Sequence, residues 1–554
     1  MIKDNSDVSG ALHEDKIESN EAKRVVNFRV IIVFLAAAAF FALSSFGQWF
    51  KGGGGIPYID SGVYLPPIGL IAIIVGLIFV VNPLLRFIAP KKLFRQWHLA
   101  AIYIMLLIYG SLVDRPFWIF STIQVQLNKF RKPQVWSPIE ESISNLLVPK
   151  SQEAVRGFLS GGSSVPWNEW IYPIIFWGAF HIALFILMMC TASILRKRWT
   201  DHERLRYPLV LPVAEITRNA GEAGSFMGGL WKNKLMWGGF IFAALWAILD
   251  FLHVQYPIIP FINSPARITS TIVNRMVSGS DWADAFTTTT ANGINLSWLG
   301  VAYIAPQDVL FSIWFFYFVV QWLFNVLQLA TNIALTKTDI LLHDETMAFG
   351  GTIAYGLMCL WIMRHQLGGI LRKAFGSGDN QEDDKEEGLS YRTAIFGVLL
   401  SLIFLITFSV YMLRISLHWA ALYFIIFSIL LVASSRRRAE AGIVFSYIDP
   451  NYWNTNIMYL IIGAQRSGTQ SLIGISYFSH LSLSTFGGNT GHVLEGYKLA
   501  DEAGINRKTI TKLMFMAFCV ALMVYFFGGL SYIYKYGTKF GYMENVGLIG
   551  FNQV

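Results

Sequence analysis

The sequence predicts an all-α protein, a polytopic transmembrane helix bundle of about 10–12 spans including re-entrant or broken helices. Three observations carry this expectation. Apolar runs of roughly 20 residues recur along the chain, the length a helix needs to cross a bilayer. Only 14% of the residues are charged while 54% are hydrophobic, against about 25% charged in soluble domains. The lysines and arginines gather in short segments between the apolar runs, as the positive-inside rule requires. That clustering accounts for the net charge of +8 without nucleic acid as a partner. The partner it implies is the lipid bilayer.

Residues 1–27 are polar and mixed in charge and lack the apolar core of a signal peptide. They read as a disordered cytoplasmic tail, which leaves 28–554 as the transmembrane domain. The first span is expected over 28–46, followed by the glycine run 52–55 as a flexible exit. The second, 67–88, carries proline in its first turn and ends in Arg86, Lys91, Lys92 and Arg95. The third, 99–113, stops at Asp114-Arg115-Pro116. The segment 114–169 reads as an outer loop with short helices. A span over 170–195 begins with Trp170 and Tyr172 as interface anchors. After a basic stretch comes a span over 235–251, then a Thr/Asn/Pro-rich outer loop over 252–307.

Further spans are expected over 308–330, 347–363, 393–413, 419–432 and 513–533, with a cytoplasmic loop at 372–392. Parity requires an odd number of crossings between an outer Pro306 and an inner Arg372. One piece of 308–363 is therefore a half-crossing, or the positive-inside rule fails there. The chain stops at Val554 without a polar tail, which reads as the loss of one or more C-terminal spans.

Two stretches break the pattern. The first is 196–217, basic in its first half (Arg196, Lys197, Arg198, Arg204, Arg206) and therefore expected at the cytoplasmic surface. Its second half is apolar, interrupted by Pro208 and Pro212 and closed by Glu215. The bland alternative is a juxtamembrane loop leading into a surface helix. The second stretch is 457–486, apolar at both ends of 457–478 with Gln465-Arg466-Ser467-Gly468-Thr469-Gln470 between. Basic clusters at 436–438 and 507–512 place both flanks on the cytoplasmic side, and an arginine at mid-membrane costs about 2.5–3.5 kcal/mol or more. A re-entrant hairpin of two half-helices, with Arg466 at its tip, satisfies both facts. A kinked span with a paired arginine is the alternative.

These breaks supply the candidate substrate-binding residues: Tyr207, Pro208 and Pro212; Gln465, Arg466, Ser467 and Thr469; and Gly487, Gly488 and Asn489 from the glycine-rich run at 487–491. Polar, non-helical backbone inside a membrane is tolerated only against protein or a water-filled cavity. Glu215 and Glu495 are the proton-coupling candidates, because a carboxylate shielded from water titrates nearer neutrality. Arg466 suits an anionic group by bidentate hydrogen bonding, so Arg466→Ala is expected to abolish uptake of anionic substrates. Asp250 and Asp308 sit at span ends and read as interfacial. Gln321, Asn325 and Gln328 share one helix face, as interhelical glue or cavity lining.

Other chemistries find little support. His202-Glu203 lacks the second histidine of HExxH, and His492 with Glu495 gives only two ligands on one helical face, so no metal site is expected. There is no P-loop, no dinucleotide fingerprint and no GxSxG elbow, so ATP-driven transport within this chain is unsupported; no cofactor is expected, and the first reading is not an enzyme. Cys190, Cys359 and Cys519 lie in apolar runs and form no disulfide framework.

Leu205-Arg-Tyr-Pro-Leu-Val-Leu-Pro-Val-Ala-Glu215 resembles the L-x-Y-P-S-G-x-A-x-A element of the oligopeptide transporter superfamily, which includes metal–chelate transporters. Gly62-Val-Tyr-Leu-Pro66 is similar to its G-x-Y-L-P element, and 495–507 is loosely similar to its D-x-K-x-G-Y segment. Leu209-Val210 stands where the family has Ser-Gly, and no Pro-Arg pair follows Gly504. The quoted motifs cover about a tenth of the chain. It implies a proton-coupled carrier with inverted repeats, in a bacterial inner membrane, that takes up peptides or metal–chelate complexes.

The reading is a secondary transporter of a small polar organic solute, driven by protons, with a cytoplasmic N-terminus. Two alternatives stay open: a membrane-embedded transferase acting on lipid-linked substrates, whose long outer loops would cover the active site, and a structural subunit of a membrane complex.

Overall fold

A computed structural model describes residues 28–50, 67–113, 146–221, 229–256, 296–316, 344–376, 384–443, 468–480 and 489–537, with isolated positions between 123 and 144 and at 258, 319 and 330. These residues form an all-α bundle without strands among them. In chain order the helices are α1 (Phe28–Phe50), α2 (Ile68–Ile88), α3 (Gln96–Val113), α4 (Gln152–Ser160), α5 (Trp167–His202), α6 (Val210–Thr217), α7 (Lys234–Gln255) and α8 (Leu296–Ile304). There follow α9 (Gln307–Phe316), α10 (Asp344–Ile362), α11 (Arg364–Ala374), α12 (Tyr391–Tyr411), α13 (Leu417–Ala441), α14 (Thr469–Ser476), α15 (Asn489–Glu502) and α16 (Arg507–Tyr536).

Five of them, α2, α5, α12, α13 and α16, are long and apolar enough to cross a bilayer, and α1, α3, α7, α9 and α10 contain shorter apolar stretches. Phe240, Ile241, Phe242 and Leu245 of α7 and Leu400 and Ile403 of α12 are exposed. Contiguous apolar surface of this kind is not tolerated in water, so the chain is a helical membrane protein. α3 is the opposite case. Every residue from Leu99 to Leu112 is buried, as expected of a helix that is apolar all round and enclosed by others.

Side-chain bonds fix the two ends. At one, Trp170 of α5 donates to the Tyr534 hydroxyl of α16 at 2.8 Å, and Tyr534 donates to the Ala154 carbonyl of α4 at 2.9 Å. At the other, Arg196 of α5 and Arg507 of α16 both approach Asp501 of α15. α5 therefore runs from a Trp170 end to an Arg196 end. α12 runs the opposite way, since Gly397 meets Cys190 while Phe408 meets Trp177. The turn 412–416 between α12 and α13 thus lies at the Trp170 end.

The basic stretch differs from expectation at its first residue. Lys197–His202 prolongs α5 as a π-helix, and Arg196, expected at the surface, is only 1% exposed. Its partners, described below, make that burial tolerable.

Candidate functional site

Two short helices, α14 and α15, lie against α5. α14 begins beside the turn at the Trp170 end, where the Ser471 hydroxyl accepts from the Ser416 amide at 3.2 Å. It descends through the 3-10 turn Tyr477–His480, bringing Tyr477 against Trp177 and Phe478 against Phe180 and Phe424. α15 then covers the remaining depth. Its Tyr497 hydroxyl lies 3.2 Å from that of Ser193, and Asp501 lies 3.7 Å from Arg196. α15 therefore runs parallel to α5 towards the Arg196 end. Thr490 precedes Tyr497 by two turns, about 10 Å, so Thr490 lies near the midpoint of α5.

The buried ion pair Arg438–Glu495 joins α13 to α15. Arg438 Nε donates to Glu495 Oε1 at 2.6 Å and Nη2 donates to Oε2 at 3.0 Å, with both side chains nearly inaccessible. Gly491 makes this possible. A Cβ there would lie 2.7 Å from Arg438 Cδ, so only glycine lets the arginine stem lie along α15. Tyr103 of α3 is within electrostatic reach of the pair. Thr490 (0% exposed) and Ser435 (1% exposed) are the buried hydroxyls nearby in sequence to this contact, and neither has a hydrogen-bond partner.

The Arg196 end is closed by two further networks. Arg196 binds Glu387 with two nitrogens and Asp201 with two, at 2.7 and 3.1 Å for the latter. Asp501 also accepts from Arg507 at 2.6 Å. In the second network Glu203 accepts from Arg198 at 2.7 Å and from Arg436, which also approaches Glu440 at 3.5 Å. The Tyr355 hydroxyl donates to Glu440 at 3.0 Å. A cavity of about 320 Å³ opens beside this network, lined by Asp308, Ser312, Tyr355, Arg437 and Glu440 among others.

Comparison with known proteins adds one match. The profile of a family of unknown function, DUF6785, covers residues 20–553. The chain belongs to the DUF6785 family. No curated protein and no solved structure matches it.

The DUF6785 fold brings some of the sequence-predicted residues together. Tyr207 is 1% exposed; its amide donates to the Ala439 carbonyl at 2.8 Å and its hydroxyl lies 3.2 Å from that of Thr200. This holds it at φ +47°, a strained value for a non-glycine residue. Burial pushes its hydroxyl well above the usual tyrosine range, and Glu495 is among the charges acting on it. Pro208 packs at Gly442, whose φ of +68° ends α13. Tyr207, Pro208 and Glu495 therefore surround the α13–α15 contact. Pro212 sits in the first turn of α6, where it removes no intrahelical bond.

Other expectations need correction. Glu215 is not shielded: its side chain is 40% exposed and pairs with Arg218 at 3.2 Å. α6 packs against α15, α3 and α2, and Gly221 just beyond it meets Phe94 at the start of α3. It lies towards the Arg196 end, so the Tyr207–Glu215 segment does not reach mid-bundle as expected. The hairpin expected over 457–486 would have entered and left at the Arg196 end. Its described second half instead starts at the Trp170 end, at Gly468 (φ +72°) and Thr469, because Ser471 is bonded to Ser416. Asn489 opens α15. Gln465, Arg466, Ser467, Gly487 and Gly488 lie outside the described residues.

Sequence reasoning missed Arg438, Ser435 and Thr490 as site residues, and Arg196–Glu387 as a buried pair. Gly491, one turn before a carboxylate on a helix, was the available signal for close approach by a large partner. Among the described residues no group of three or more His, Cys, Asp and Glu side chains is placed to hold a metal ion.

Proposed function

We propose that this protein is a secondary active transporter of a small polar organic solute, of the peptide or metal-chelate class, coupled to protons. The observation that carries this reading is the Arg438–Glu495 ion pair, buried in the bundle between α13 and α15. Ionisable groups inside a membrane bundle mark substrate or proton pathways by default. The resemblance of 205–215 to the oligopeptide transporter superfamily points the same way.

In this reading Glu495 is the proton carrier. Ionised, it binds Arg438; protonated, it releases a guanidinium that then seeks another anion. The ion networks around Arg196 and Arg436 close the Arg196 end in the conformation seen, and the positive-inside rule puts that end in the cytoplasm.

The test is reconstitution into liposomes under an inward proton gradient, with a panel of di- and tripeptides and iron–citrate, read as proton-coupled currents. Currents that require the gradient and vanish in Glu495→Gln support the reading. A correctly inserted protein that passes no current with any compound overturns it.

A further inference from the structure

We infer that the corner where α11 meets α12 is a binding site for one anionic phospholipid. Arg372 and Arg392 hold its phosphate, and its acyl chains lie along the outer face of α12. The site does not depend on the carrier reading.

Packing builds the corner. Ile370 and Ala374 of α11 are buried against Tyr391, Ala394 and Ile395 of α12. The Lys373 ammonium lies 5.8 Å from the centre of the Tyr391 ring. The Phe375 and Phe396 rings meet edge-on, with centroids 5.7 Å apart. Arg372 is one turn from Phe375 and Arg392 one turn from Phe396, so the two arginines flank the same ring pair. All four side chains are exposed.

Charge selects the head group. Asp384 is matched by Lys373 at 2.7 Å, and Glu387 by Arg196. The exposed neighbours Lys385 and Glu386 cancel in net charge. Arg372 gives one nitrogen to the Gly368 carbonyl at 3.3 Å, and neither Arg372 nor Arg392 has an acidic partner among the described residues. Planar guanidinium groups bind phosphate oxygens in pairs. A zwitterionic head group would bring its own ammonium into the same positive field.

The surface beyond Arg392 selects a lipid over a soluble phosphate. Arg392, Phe396, Leu399, Leu400 and Ile403 recur at the spacing of one helix face, and all are exposed. Gly397 meets Cys190, so this face starts at the Arg196 end and runs towards the Trp170 end. From Arg392 to Ile403 it extends about 16 Å along the helix axis. A phosphate held at Arg392 therefore has a track for acyl chains beside it. Basic residues at the cytoplasmic ends of spans attract anionic lipids in this way.

The experiment is native mass spectrometry of the full-length protein in detergent, titrated with dioleoylphosphatidylglycerol, dioleoylphosphatidylcholine or inorganic phosphate. Phosphatidylglycerol is expected to saturate one site about tenfold more tightly than either of the others. Arg372→Gln and Arg392→Gln should each weaken it about fivefold, and the double variant about 25-fold. Lys91→Gln/Lys92→Gln removes the same charge from exposed positions at the same end and should leave binding unchanged. Equal binding of phosphatidylcholine, arginine variants that bind like wild type, or an equal loss in the lysine control would each overturn the site. Inorganic phosphate binding as tightly as the lipid would overturn the assignment of a lipid.

Discussion

Arg438 and Glu495, 57 residues apart in sequence, meet as a two-point ion pair with both side chains about 5% exposed. The pairing depends on a third position, Gly491, that has no side chain of its own. Removing two charges from water costs several kcal/mol per ion, repaid only by good geometry. A buried pair of such cost is better explained by function than by stability.

Neutralising one member should therefore do two separable things. Glu495→Gln leaves a buried guanidinium and is expected to destabilise the protein by about 3–5 kcal/mol, read as a lower melting temperature in detergent. The double variant Arg438→Met/Glu495→Met should recover most of that stability without recovering proton-driven transport. Recovery of both would make the pair merely structural.

Arg196→Met makes the corresponding test at the end of α5. It strands Glu387 and weakens the hold on Asp201 and Asp501. The loss is again expected at about 3–5 kcal/mol, and Glu387→Gln in the same chain should offset part of it. A melting temperature within error of wild type would show the network to be dispensable.

Two glycines are expected to resist substitution. Gly491→Ala drives a methyl group into Arg438, and Gly388→Ala drives one to within 2.5 Å of the Tyr497 and Thr511 hydroxyls. Each should cost about 1–3 kcal/mol. Tyr497→Phe should partly rescue Gly388→Ala, since it removes the hydroxyl that the new methyl meets. Absence of rescue would place the clash elsewhere.

Stability should fall in acid for a reason that can be assigned outside the spans. Asp384 feels burial, which raises its pKa. The Lys373 ammonium at 2.7 Å and the Tyr391 amide outweigh it and hold the carboxyl below its ordinary value of 3.8. Glu203, held below 4.5 by Arg198 and Arg436 against the same opposing burial, behaves alike. A carboxylate whose pKa is depressed on folding contributes stability at pH above its unfolded value. That contribution is lost as pH falls from there through the folded value. Melting temperature should decline below about pH 4.5, and Asp384→Asn should flatten the lower part of the decline. An unchanged acid limb in that variant would remove Asp384 from the account.

Hydropathy made the all-α bundle legible, and the span expected over 170–195 lies inside Trp167–His202. What composition did not reveal were partners distant in sequence. Glu387 sits in an acidic loop that reads as solvated, yet it is 3% exposed because Arg196, 191 residues away, reaches it. Basic clusters gave the sidedness of α14 wrongly for a related reason. They locate the flanks of a segment, whereas the Ser416–Ser471 bond that fixes where α14 begins joins two uncharged residues.

The most direct test of the account is thiol labelling beside the Arg438–Glu495 pair. Thr490→Cys, in a chain with Cys190, Cys359 and Cys519 replaced by alanine, is treated in sealed vesicles with a membrane-impermeant maleimide. Arg204→Cys, exposed at the Arg196 end, serves as the control. A carrier should label at residue 490 from at least one side, with protection by a transported acid. A residue 490 that stays unreactive from both sides, while the control labels fully, would contradict it.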